Sequence, residues 1–81
     1  MKAKNLSKRI IANPKILGGK PIIRGTQISV EFILELLASG AATSEILRDY
    51  PYLKTNDIKA CLEYAARSSH NEIYLDLEKA G

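Results

Sequence analysis

Between Asn13 and Ser29 the chain reads NPKILGGKPIIRGTQIS, a run too punctuated for a helix and too well formed for a loose tail. Asn13-Pro14 and Gly18-Gly19 are turn dipeptides, and Pro21 opens a short β-branched pair, Ile22-Ile23. Gly25 follows a cation and precedes Thr26, Ile28 and Ser29, which restart an alternating pattern. Three glycines, two prolines and five isoleucines or leucines in these residues predict a compact β-hairpin or arch. Gly18, Gly19 and Gly25 are expected where the backbone takes positive φ or approaches another segment closely.

Eighty-one residues make one domain near the lower end of what folds alone. With 46% apolar residues there is material for one modest core, so a homodimer mate or another partner is expected to help complete it. No run reaches the roughly 18 apolar residues of a membrane span. No apolar signal core precedes the turns, so the expected location is the cytoplasm. A single cysteine, Cys61, excludes an internal disulfide and a cysteine-built metal site.

The net charge of +3 conceals an uneven distribution. Lys2, Lys4, Lys8, Arg9, Lys15, Lys20 and Arg24 all precede the first of the nine acids, Glu31. A basic front half of this kind suits a polyanion, although a solvated arm can be lysine-rich for solubility alone. Residues 1–8 read as a flexible arm, residues 9–69 as the domain, and residues 70–81 as a separate C-terminal segment.

Arg9 to Ala12 reads as a short strand that ends at the Asn13-Pro14 turn. From Ser29 the period changes, because Val30, Ile33, Leu34 and Leu37 lie on one helical face. Ser29 is the expected N-cap and Gly40 the expected stop. Phe32 and Leu36 fall off the stripe, which places this helix centrally. A second helix is expected from Ser44 to Tyr50, capped by Thr43 or Ser44, with Ile46 and Leu47 inward and Pro51 preventing its continuation. Thr55 is expected to cap a third, with Ile58, Cys61, Leu62 and Ala65 as its buried stripe. A short helix, a tight turn and a longer helix after a first helix form a three-helix, homeodomain-like helix-turn-helix. The expected fold is therefore mainly α, with an N-terminal β-hairpin.

In such a fold the third helix enters the major groove of double-stranded DNA, and its outward residues would be Asn56, Lys59, Ala60, Glu63, Tyr64 and Arg67. Asn56 can bond adenine, and Lys59 and Arg67 can reach phosphate or guanine. Asp57 and Glu63 offset Lys59 and Arg67, which argues against a strong recognition helix. The arm compensates: Lys4, Lys8 and Arg9 suit the minor groove or backbone, with Lys20 and Arg24 as phosphate clamps from the hairpin.

Asn13-Pro14, Gly18-Gly19-Lys20-Pro21, Arg24-Gly25-Thr26, Ile28-Ser29-Val30 and Asp49-Tyr50-Pro51, in this order from Ile10 to Ala66, resemble domain-of-unknown-function family 433. These are small prokaryotic proteins with a homeodomain-like helix-turn-helix, usually regarded as antitoxins. The resemblance implies an operator-binding partner of a PIN-like ribonuclease toxin. It further implies that the C-terminal segment, through Glu72, Ile73, Tyr74, Leu75 and Leu77, covers the toxin. That segment could equally dock on its own core or swap into a dimer mate, and its alternation suits a strand while Ile73 and Leu77 also suit a helix. Gln27 departs from the family, where a basic residue is common.

Other chemistry finds little support. Gly18-Gly19-Lys20 and Arg24-Gly25-Thr26 lack the spacing of a nucleotide loop and read as turns. His70 is the single histidine and stands nine residues from Cys61, so neither a metal site nor a catalytic pair is expected. No catalytic residues, enzyme activity or cofactor are expected. Two rivals stay open: a protein-interaction module without a DNA role, and a stand-alone transcriptional regulator.

Overall fold

The computed structural model describes residues 6–68 of the chain. A 3-10 turn, Leu6–Arg9, leads into β1 (Ile10–Ala12), which pairs antiparallel with β2 (Pro21–Ile23). Three helices follow: α1 (Val30–Ala38), α2 (Thr43–Asp49) and α3 (Thr55–Ser68). The fold is a three-helix core with a short two-stranded N-terminal sheet, as the hydrophobic periods predict.

The hairpin is held by its turn residues. The register is Ile10↔Ile23, Ile11↔Ile22 and Ala12↔Pro21, which puts proline at the end of the ladder, where its missing N–H costs least. The Asn13 side chain accepts the Lys15 N–H at 2.9 Å and starts the connection. Leu17, Gly18 and Gly19 then run through positive φ (50°, 67° and 88°), a left-handed turn that Leu17 enters at some steric cost. Gly25, at φ 81°, meets the same expectation. Thr26 closes the next turn by donating to the Ile23 carbonyl and accepting the Ile28 N–H.

α1 begins and ends as its sequence predicts. The Ser29 hydroxyl accepts the Phe32 N–H at 2.9 Å. At the other end Gly40 takes φ 106°, and the Ala41 and Gly40 N–H groups bond the Leu36 and Leu37 carbonyls in a Schellman arrangement. α2 starts one residue earlier than expected. Its N-cap position is Ala42, so neither Thr43 nor Ser44 caps it; the Glu45 carboxylate instead accepts the Ala42 N–H at 2.8 Å. Alanine has no acceptor to return, so only one half of a capping box forms here.

Ile23, Val30, Ile33, Ile46, Leu53, Ile58 and Cys61 make one buried cluster, with Ile10, Leu34, Leu36, Leu37 and Tyr50 packed around it. Ile22 is also fully buried but outside that cluster, so β2 is covered on both faces despite being three residues long. Tyr50 sits edge-on between Phe32 and Tyr52, with ring centroids 5.9 and 6.4 Å away, and joins α1 to the turn after α2.

α3 is rotated relative to its expected stripe. Ile58 and Cys61 are buried, but Leu62 is 49% exposed, while Asp57 and Ala60 are buried in its place. The cause is the N-terminal segment. Leu6–Arg9, expected to belong largely to a loose arm, forms the 3-10 turn and packs along α3. It covers the side of α3 that carries Asp57 and Ala60, which the three helices alone would leave open.

Truncating Ile33, whose side chain is wholly inside, to alanine should cost about 2–5 kcal/mol, a large part of a small domain's stability. Ser29→Ala should cost about 1 kcal/mol through the lost cap. Urea unfolding of the two variants checks both values and their order.

Candidate functional site

The centre of the polar architecture is Asp57, in the first turn of α3 and 7% exposed. Its Oδ2 accepts the Lys54 N–H at 2.9 Å, and Lys54 supplies the first helical carbonyl, so Lys54 is the N-cap position and Thr55 is not. Its Oδ1 accepts from Arg9 Nη1 at 3.0 Å across 48 residues of sequence. One carboxylate therefore caps α3 and pins the N-terminal segment onto it. Every buried side-chain nitrogen and oxygen among the described residues has a hydrogen-bond partner.

The cations expected to meet DNA fall into three groups. Lys8, Arg9 and Arg24 come together with Asp57 around one shallow notch. The Arg24 N–H donates to the Arg9 carbonyl at 2.7 Å, continuing the ladder one step beyond Ile10↔Ile23 and setting the two arginines across from each other. Lys20 pairs with Glu31 at 3.2 Å, and Arg67 pairs with Glu63 one turn away at 3.1 Å, all at the surface. Lys59 is exposed and has no ion pair among the described residues; Asn56, beside it, is half-buried.

Ala60, expected to face outward, is 2% exposed. Lys4 and the whole set Glu72, Ile73, Tyr74, Leu75 and Leu77 lie outside the described residues, as does His70. The residues missed from sequence are Asp57 and Lys54. The spacing Lys54-Thr55-Asn56-Asp57 is that of a helix start with an acid at the third position, which is the signal that could have found them.

The outward side of α3 carries Thr55, Lys59, Leu62 and Ala66, all exposed. Tyr64, 39% exposed, separates two apolar hollows, one bounded by Ile10 and Ala60 and the other by Pro21, Val30, Leu34 and Ala38. Cys61 is fully enclosed, and its thiol is pushed up from 9.0 to about 11, first by burial and then by the negative charge of Asp57. It is a core residue with no nucleophilic character at neutral pH. Among the described residues no group of histidine, cysteine or acidic side chains could hold a metal ion, and no helix is long and apolar enough to cross a membrane.

Removing the Arg9 guanidinium leaves the Asp57 carboxylate, among the described residues, with the Lys54 N–H as its remaining hydrogen bond. Arg9→Ala should cost about 1–3 kcal/mol, and combining it with Asp57→Asn should cost less than the two single changes together. Thermal unfolding across that double-mutant cycle measures the coupling. Because the Cys61 thiol has a higher pKa folded than unfolded, its contribution is full below about pH 9 and is lost as pH rises toward 11. Relative to Cys61→Ala, the wild-type protein should lose roughly 2–3 kcal/mol across that window in denaturant unfolding.

Three likenesses place the chain among known proteins. The family described as a protein of unknown function, DUF433, matches residues 10–65, from the first residue of β1 into α3. An uncharacterized protein, y4eO of Sinorhizobium fredii (strain NBRC 101917 / NGR234), is 32% identical over 56 residues, which is 69% of this chain and 25% of that relative. The chain thus spans a quarter of the length of that curated relative. The crystal structure of a DUF433 member protein from Anabaena variabilis superimposes with a TM-score of 0.70 at 32% identity, over 90% of this chain and 69% of that one. The family match spans most of the described fold, from β1 into α3, and the chain belongs to the DUF433 family.

Proposed function

We propose that this chain is the antitoxin of a type II toxin-antitoxin pair, a homodimer that binds operator DNA through α2 and α3 and neutralises a PIN-like ribonuclease through residues 70–81. α2 and α3 serve as a helix-turn-helix, with the outward face of α3 laid in the major groove. Asn56 reads a base edge, Lys59 reaches phosphate or guanine, and the exposed Leu62 is placed to touch a thymine methyl.

The observation that carries the reading is the fate of the acids on α3. By composition the helix is neutral, which disfavours DNA. In the fold Asp57 is turned inward against Arg9, and Glu63 is bonded to Arg67. The first two turns of the outward face therefore present Lys54, Thr55 and Lys59 to solvent, with no opposing carboxylate among the described residues. That is the end of the helix that reads bases in this motif.

A second reading, a protein-docking module, is favoured by Leu62 and Tyr64, which are exposed large apolar side chains on the same helix. The two readings separate in a salt-titrated binding assay on the protein's own upstream DNA against scrambled DNA. Affinity should fall steeply with salt and favour the native sequence. Lys59→Ala should weaken binding to both DNAs and lower the salt slope by about 1, whereas Asn56→Ala should erase about 1–3 kcal/mol of preference. Salt-independent or unselective binding would give the face to a protein partner. Relief of the ribonuclease activity of a PIN-like protein encoded beside this chain, lost on truncation after Ser68, tests the toxin half.

A further inference from the structure

The notch formed by Lys8, Arg9 and Arg24 holds more positive charge than the described residues answer. Arg9 and Arg24 face each other across the last step of the β1–β2 ladder, where like charges oppose folding. Among the described residues Asp57 is the one carboxylate at the notch, and it is already bonded to Arg9 and to the Lys54 N–H. Arg24 and Lys8 are exposed, with no ion pair among the described residues. Two other surface cations are settled against neighbouring acids, Lys20 against Glu31 and Arg67 against Glu63, whereas Lys59 stands apart from the cations of the notch. Here three cations line a depression of about 280 Å³ around a single buried acid.

We propose that this notch is a phosphate-type oxyanion site. Arg24 and Lys8 supply the free charge, and Asp57 acts on Arg9 as a positioning residue. The bond from Nη1 to Asp57 uses one of the five guanidinium donors of Arg9 and holds the group in place, leaving the others for an oxyanion. Asp57 belongs at once to the notch and to the first turn of α3, so a phosphate bound there lies beside the start of that helix. In naming the DNA backbone as the source of that phosphate, the proposal rests on the helix-turn-helix reading above. The notch then clamps one phosphate flanking the bases that α3 reads, and it sets the register of α3 without reading sequence. A free phosphate or nucleotide shares the same chemistry, and the test separates the two sources.

The variant is Lys8→Ala combined with Arg24→Ala. Both side chains are exposed, so the fold should survive, which thermal unfolding verifies. Arg9 and Asp57 stay intact. Two titrations are read on wild type and variant. In the first, inorganic phosphate is added at constant ionic strength while the backbone amide resonances at positions 9 and 24 are followed. Saturable shifts in wild type, absent in the variant, support the site. In the second, upstream DNA is titrated against salt. The variant should bind about tenfold more weakly at low salt, with the slope of log affinity against log salt reduced by about 1 and sequence preference unchanged. If phosphate binds at the notch but the protein ignores DNA, the site stands and the operator reading falls. If DNA binds with the same slope in wild type and variant, the operator reading stands and the notch is not its clamp, which overturns the proposal. If neither titration involves the notch, the proposal is likewise overturned.

Discussion

One carboxylate organises the polar half of this fold. Asp57 is buried at the start of α3, and a buried carboxylate is tolerated only where donors surround it. Its two donors come from opposite ends of the described chain. The Lys54 amide fixes where α3 begins, and the Arg9 guanidinium brings the 3-10 turn and β1 against that helix. Desolvation of the pair offsets much of its attraction, so its value lies more in choosing this packing over others than in raw stability.

The apolar core follows from short-range spacing, which is why much of it is legible in sequence. Val30, Ile33, Ser29 and Gly40 announce a helix with both ends marked, and that helix is found with the expected cap and stop. The turns at Asn13, Gly18 and Gly25 are legible for a similar reason: few residue types can take those backbone angles. The rotation of α3 was not legible. Periodicity assigns Leu62 to the core and Asp57 to water, because it weighs each residue by its own polarity. The reversal depends on a segment almost fifty positions away that packs on that side. The starts of α2 and α3 escaped for a related reason. Thr43, Ser44 and Thr55 are all competent caps, but Glu45 and Asp57 each accept the N–H three residues back, of Ala42 and Lys54, and each helix starts one residue earlier.

For the candidate interface, the sequence made the basic half visible but could not sort it. Seven cations before Glu31 look equivalent on paper. In the fold they differ. Lys20 is tied to an acid, Arg9 holds the structure together, and Arg24 and Lys8 remain available. The same sorting acts on α3, where the apparent neutrality of the helix dissolves once Asp57 is turned inward and Glu63 is bonded sideways to Arg67. Net charge by segment is an average over roles that only tertiary contacts separate.

The span of the Arg9–Asp57 bond also bears on how the molecule assembles. The helices are built from near-neighbour contacts and can form quickly, whereas this bond closes a loop of 48 residues. Closing such a loop costs roughly 3–4 kcal/mol of chain entropy before any contact repays it. That entropy falls on the contact between the N-terminal turn and α3, not on the helices. The notch forms only where the N-terminal turn and the end of β2 meet α3, so a bound anion and a docked N-terminus would favour each other.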